Sequence, residues 1–187
     1  MTQPTSYLPL TRDKVEWIKS TIRDIPDFPK PGILFKDMTT LMRNAEAFQY
    51  VIDVLSEKFA KANIKYAVGI ESRGFILGAA MAHKLGIGFI PIRKPGKLPH
   101  KVEKATYELE YGTDTLEIHV DALERGDRVC VIDDLLATGG TAEASLRLLK
   151  AVGADVVGLG FVVELGFLKG RNKLPAGVEV FSIVDFS

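Results

Sequence analysis

Val129-Cys-Val-Ile-Asp-Asp-Leu-Leu-Ala-Thr-Gly-Gly-Thr-Ala-Glu-Ala144 is the stretch on which the reading of this chain turns. Its first four residues, Val129 to Ile132, have the β-branched content of a buried strand. Asp133 and Asp134 stand where that strand is expected to end. Ala137, Thr138, Gly139, Gly140 and Thr141 make a small-residue turn with two glycines and two hydroxyls. Leu146, Leu149 and Val152 then recur at spacings of three, as in a helix.

A strand, a glycine turn and a helix start together form an anion site. The first N–H groups of a helix lack partners within it, and the helix dipole favours negative charge there. Gly139 and Gly140 allow close approach of the backbone to a ligand, and Thr138 and Thr141 add hydroxyl donors. The expected ligand is a phosphate. Charged hydrogen bonds contribute ~1.5–3 kcal/mol each, so a handful outweigh the cost of ordering a small sugar phosphate. The motif is not a nucleotide-triphosphate loop, because no lysine follows Gly140, and G-x-G-x-x-G is missing too. Two acids immediately before a phosphate cup can hold vicinal hydroxyls, a divalent cation, or both. The bland alternative is a solvated acid pair beside a plain helix cap. The coincidence of Asp-Asp and Thr-Gly-Gly-Thr at one strand end argues against it.

Composition narrows the class. A length of 187 residues fits one α/β domain, and 47% apolar residues allow a sizeable core. Lys plus Arg and Asp plus Glu are both 24, which argues against a protein that coats nucleic acid or an anionic membrane. Cys130 lies inside the expected strand and reads as a buried, unreactive thiol. No signal segment or apolar run of membrane length appears, so a cytoplasmic location is expected. His83, His100 and His119 lack metal-type spacing, and one cysteine makes no zinc site.

Outward from the central stretch, strands and helices alternate. Thr11 is placed to cap a first helix bearing Val15, Ile18 and Ile22. Pro26 to Asp37, with three prolines and Gly32 within seven residues, reads as a stiff extended loop. Phe35 follows it, either as a core anchor or as a flat wall for a ring. Asn44 to Ala62 is an amphipathic helix on Phe48, Ile52, Leu55 and Phe59. Tyr66 to Ile70 is a buried strand, Glu71 to Gly74 a turn, Phe75 to Leu85 a helix ended by Gly86, and Phe89 to Arg93 a strand. Arg93 to Lys104 is basic, and Pro95, Gly96 and Pro99 preclude regular structure there. It reads as a solvated loop or as a lid over an anionic leaving group. Thr106 to His119 reads as a hairpin turning at Gly112-Thr-Asp. Asp155 to Glu164 and Val178 to Val184 are further strands, the last at an edge. Such alternation implies a twisted, mainly parallel sheet flanked by helices, with sites at the carboxyl ends of its strands. Glu71–Gly74 and Asp133–Thr141 are therefore expected on one cleft edge. Arg73 beside Gly74 suits a second anion; the alternative is an ion pair with Glu71. Ser72 misses the register of a nucleophile elbow, since Gly69 stands one place too early.

These motifs carry a resemblance. Val-Ile-Asp-Asp-Leu-Leu-Ala-Thr-Gly-Gly-Thr resembles the phosphoribosyl-diphosphate signature of type I phosphoribosyltransferases, in the form found in the adenine phosphoribosyltransferase family. Phe-Pro-x-Pro-Gly followed by Phe-basic-Asp resembles that family's hood, Glu71–Gly74 its diphosphate loop, and Leu-Glu-Tyr-Gly-Thr-Asp its flexible catalytic loop. A stretch like Val-Glu-Leu…Leu-Lys-Gly-Arg completes the set, so four motifs besides the signature run in family order between Phe28 and Lys173. His100 to Lys104 departs from any family pattern.

The resemblance implies the type I phosphoribosyltransferase fold over 1–187, with a hood in about 1–40 and a flexible loop or hairpin lid in about 94–119. It implies transfer of a phosphoribosyl group from phosphoribosyl diphosphate to adenine, with Mg²⁺ as cofactor. Glu110 is then the general acid at the five-membered ring, with Tyr111, Asp133 and Asp134 beside it. Ala137 to Thr141 bind phosphate; Ser72, Arg73, Arg93, Lys94 and Lys97 bind diphosphate. Phe35 stacks on the base, Leu34 and Lys36 read its edge through main-chain groups, and Leu165 forms a second wall. Asp133 and Asp134 are also the metal candidates. A homodimer is implied, with Arg93 and Lys97 near the neighbour's site. Two other classes remain at this level: a silent sensor of phosphoribosyl diphosphate, and a serine hydrolase at Ser72.

Overall fold

In a computed structural model, which describes residues 10–108 and 112–187, the quoted stretch lies at the centre of the sheet. The strand opening it, β7 (Arg128–Leu136), pairs in parallel with β3 (Tyr66–Ile70) on one side and β8 (Asp155–Glu164) on the other. β4 (Gly88–Ile92) and β9 (Val180–Asp185) complete a five-stranded parallel sheet in the order β4-β3-β7-β8-β9. Val129 and Val131 bury into one face, Cys130 and Ile132 into the other. A strand covered on both sides is apolar throughout rather than alternating, which is why this run was legible.

One face carries α1 (Arg12–Thr21), α2 (Thr39–Arg43), α3 (Ala45–Phe59) and α4 (Arg73–Leu85), packed through Ile18, Leu41, Leu55, Phe59, Leu77 and Met81. Thr11 and Asn44 cap α1 and α3 by accepting from Lys14 N and Ala47 N. The other face carries α5 (Gly140–Ala151) and a hairpin of β5 (Val102–Glu108) and β6 (Thr113–His119). From β3 the chain runs through α4 to β4 on one side. From β7 it runs through α5 to β8 on the other side and the other face. The gap between the carboxyl ends of β3 and β7 is therefore the sheet's topological switch point, where α/β sheets bind ligands.

Several boundaries differ from expectation, by a few residues at β4, α3 and β9 and more consequentially elsewhere. β7 continues through the acid pair to Leu136, because the ten-residue β8 supplies partners for Asp133, Leu135 and Leu136 in Phe161, Val163 and Glu164. The end of the basic segment, Val102 to Lys104, is strand, since His119, Ile118 and Glu117 stand opposite it. The ends of the proline-rich stretch pair as β1 (Arg23–Pro26) and β2 (Leu34–Asp37), with Gly32 at φ 84° in the turn between them. α4 begins at Arg73, two residues before the expected start.

Candidate active site

The phosphate-cup residues join β7 to α5. The first bond of the helical type runs from Glu143 N to Gly139 O, so the N–H groups just before it have no partner within the helix. Gly139 caps the helix at φ 83°, and a Cβ there would stand 2.2 Å from the Gly170 carbonyl oxygen. A Cβ on Gly170 would stand 2.2 Å from the Ala137 carbonyl oxygen. The cup is thus braced from behind by the turn at 166–173, backbone against backbone. Gly140 is glycine for a different reason: its Cβ would meet Glu108 O and Tyr107 Cδ2 at 3.3 Å, so its close neighbour is the hairpin. The pocket at the cup is about 80 Å³ and includes Asp133, Thr138 and Thr141 in its lining.

A larger pocket of about 320 Å³ adjoins it, lined by Ser72, Arg73, Lys94, Tyr107, Asp133, Asp134 and Thr141 among others. The expected single cleft edge is present. Gly74 makes it possible: a Cβ there would collide with Ile132 O at 2.7 Å and Asp133 Oδ1 at 2.9 Å, so α4 can start directly against β7. The pocket lining contains no histidine to activate Ser72, and the hydrolase reading gains no support.

The charges are paired differently from expectation. Arg73 Nε donates to the Asp134 carboxylate, not to Glu71, and its guanidinium carbon lies 5.9 Å from the Phe35 ring centre. Glu71 instead accepts from Lys94 N at 2.9 Å and Arg93 Nε at 3.2 Å. Burial works against the Glu71 carboxylate, but these donors outweigh it and hold its pKa below the ordinary range. Asp133 Oδ1 accepts from Asp134 N at 2.9 Å. Burial, reinforced by the Asp134 charge, pushes the Asp133 carboxyl well above its usual range.

Of the five diphosphate candidates, the structure brings Ser72, Arg73 and Lys94 into one pocket. Arg93 turns to Glu71 and the Lys97 carbonyl, and the Lys97 side chain is exposed. In the hood, Phe35 packs edge-on to Phe28 at 5.1 Å between ring centres. Leu34 and Lys36 are two apart on β2, whose only strand partner among the described residues is β1, so like main-chain groups of both face one edge. The Lys36 ammonium is held by Asp24 at 2.6 Å and lies 4.0 Å over the Phe186 ring. Leu165 follows β8, its N–H bonded to Leu136 O at 2.9 Å. Glu110 and Tyr111 lie outside the described residues.

Sequence reasoning missed the brace. Glu164 accepts both Arg171 nitrogens, at 2.7 and 2.6 Å, and Ser182 Oγ at 2.7 Å, which anchors the turn carrying Gly170. The sequence signal was slight: a glycine between Lys169 and Arg171 in a charged turn.

No group of three or more His, Cys, Asp or Glu among the described residues is arranged to hold a metal. Asp134 is taken by Arg73, and Asp133 lies beside it with its Oδ1 accepting from Asp134 N. That donor set does not make a protein cage; it suits an ion borne on substrate phosphates, which asks for one or two carboxylates at most.

A glycine turn at a helix start, an acid pair and a second basic turn meet at the switch point, the arrangement expected of a phosphoribosyltransferase-type site. The profile of the family described as "Phosphoribosyl transferase domain" matches residues 37–182. An adenine phosphoribosyltransferase of Acaryochloris marina is 60% identical over 158 residues, covering 84% of this chain and 93% of that protein. The crystal structure of the Rhodothermus marinus adenine phosphoribosyltransferase superposes with a TM-score of 0.89 at 50% identity, over 94% of this chain and 100% of that one. The Saccharomyces cerevisiae enzyme, solved with an imino-altritol bisphosphate and adenine, gives 0.86 at 44% identity, over 92% and 99%. The chain belongs to the adenine phosphoribosyltransferase family.

Proposed function

We propose the following division of labour in an enzyme that transfers the 5-phosphoribosyl group from phosphoribosyl diphosphate to adenine, giving AMP and diphosphate. The observation that carries it is the meeting of Ser72, Arg73 and Lys94 with Asp133, Asp134 and Thr141 around one pocket. Main-chain N–H groups and hydroxyls of Ala137–Thr141 hold the 5-phosphate. Ser72, Arg73 and Lys94 hold the diphosphate. Asp133 and Asp134 face the ribose, through its hydroxyls, through the metal, or both. The C1′–O bond to diphosphate breaks as N9 of adenine bonds to C1′, and the transition state carries oxocarbenium character. Carboxylate charge near the ring opposes that developing positive charge. Magnesium carried on the diphosphate supplies counter-charge to the leaving group. Glu110 handles the ring proton: it takes the proton adenine loses and returns it, as an acid, in the reverse direction.

Phe35 and Leu165 wall the base, and main-chain groups at Leu34 and Lys36 read its edge. The engagement of the Lys36 ammonium by Asp24 and Phe186 supports an edge read by backbone alone. The whole chain acts as one domain, with the hood in about 1–40 and the lid in about 94–119. It works in the cytoplasm as a homodimer in which Arg93 and Lys97 serve the neighbour's site; among the described residues no helix is long and apolar enough to cross a membrane.

The test is purified protein with magnesium and phosphoribosyl diphosphate, given each purine base in turn. Hypoxanthine and guanine reverse adenine's donor–acceptor edge. Each buried mismatch costs ~1–3 kcal/mol, so two give roughly 30-fold or greater preference for adenine. Comparable rates with a 6-oxopurine would remove the base assignment. No nucleotide from any base, despite tight substrate binding, would favour a sensor.

A further inference from the structure

Tyr107 on β5 and Asp114 on β6 stand directly opposite each other in the hairpin register, and the segment between them carries Glu110. The Tyr107 hydroxyl has its bonding capacity filled. It accepts from Lys94 Nζ at 3.3 Å and Thr141 Oγ1 at 3.3 Å, and it donates to Asp114 Oδ2 at 3.2 Å. The Lys94 ammonium is also paired with Asp114 itself. One phenol and one carboxylate thus tie the diphosphate lysine and the cup threonine to both strands of the hairpin.

The other acids nearby have fixed structural duties. Glu117 is 2% exposed and holds Gly96 N at 3.0 Å and Lys104 Nζ at 2.7 Å. Glu71 holds the main chain at Lys94. The Lys94–Asp114 pair is different: the two side chains keep 37% and 27% of their surface, so water and anions can reach it. An ammonium is a compact point charge that changes partners without a fixed geometry. A diphosphate oxygen arriving at Lys94 meets Asp114 as a like charge competing for the same cation.

We propose that Asp114 competes with diphosphate for Lys94: its carboxylate holds the ammonium beside Tyr107 and Thr141 until diphosphate binds by displacing it. This rests on the reading of Lys94 as a diphosphate ligand. Occupation of the diphosphate subsite is thereby felt at the base of the Glu110 segment, since releasing Asp114 changes the partners of Tyr107.

The experiment measures the Kd of inorganic diphosphate, with and without magnesium, and the KM values of both substrates. Asp114→Asn keeps the size and the acceptor for Thr115 N but removes the charge. A partly exposed pair is worth little, so diphosphate binding and the KM for phosphoribosyl diphosphate should improve roughly two- to five-fold. The KM for adenine should stay put. Asp114→Ser, smaller and uncharged, should act in the same direction, and Asp114→Glu, which keeps the charge, should stay near wild-type affinity. Lys94→Met should weaken diphosphate binding roughly ten-fold or more. If Lys94→Met weakens it but Asp114→Asn leaves it equal or weaker, competition by Asp114 is overturned and Lys94 stands. If Lys94→Met has no effect, the assignment of Lys94 falls, and the inference with it.

Discussion

Replacing Gly139 with alanine tests the brace behind the cup. Two penalties act together. Gly139 sits at φ 83°, where an L side chain costs ~1–2 kcal/mol. The new Cβ would also stand 2.2 Å from Gly170 O, so backbone must move by about 0.8 Å to reach 3.0 Å. Both sides of that contact are main chain, with no rotamer to yield, and overpacking of this kind costs ~1–3 kcal/mol. The sum is ~2–5 kcal/mol, or a Tm lower by roughly 4–20 °C for a chain of this size. Gly32→Ala is the control: φ is 84°, but nothing lies within 4 Å of its Cβ, so only the conformational part remains, about 1–2 kcal/mol. Differential scanning calorimetry compares the two. The moved backbone belongs to the turn proposed to hold the 5-phosphate, so the KM for phosphoribosyl diphosphate should also rise about ten-fold or more, since a 1 Å misplacement can cost up to about 10²-fold. Equal losses of stability in the two variants, with an unchanged KM, would refute the brace.

Glu110→Gln keeps size and hydrogen bonding but cannot carry the proton; turnover should fall ~10²–10⁴-fold with little change in either KM, and near wild-type turnover would exclude Glu110. Asp133→Asn combined with Asp134→Asn should lower turnover ~10²-fold or more through lost charge near the ribose. Near-UV circular dichroism must stay native, because its loss would make the pair structural. Glu164→Gln should lower stability at pH 7 by ~1.5–3 kcal/mol, as one bidentate charged pair is weakened. The Glu164 pKa is held low, chiefly by Arg171, so its contribution is present above the ordinary value of 4.5 and lost as pH falls through the lower folded value. Melting curves of variant and wild type should therefore converge as pH falls below the ordinary carboxylate value of 4.5, and a constant gap would reject the ion-pair account.

The sequence alone determined the parts whose signals are local. Val129–Ile132 is apolar without alternation because it is covered on both faces, and Thr11 and Asn44 cap helices through their own nearby backbone. The Thr138-Gly-Gly-Thr141 turn, the acid pair and the second basic turn are legible as residue types at neighbouring positions, and the structure brings them to one pocket. What only the tertiary structure decided depends on partners distant along the chain. β7 runs through Asp133 and Asp134 because β8 is long enough to pair with it. Arg73 takes Asp134 rather than the nearer Glu71 because α4 starts against β7 at Gly74. Gly140 clears space for the hairpin, while Gly139 and Gly170 clear space for each other's backbones. Lys94 meets Asp114 only because β5 and β6 pair with Tyr107 opposite Asp114. Local preferences are written in neighbouring residues; which charge meets which, and which glycine faces which wall, is set by packing between segments that the sequence lists far apart.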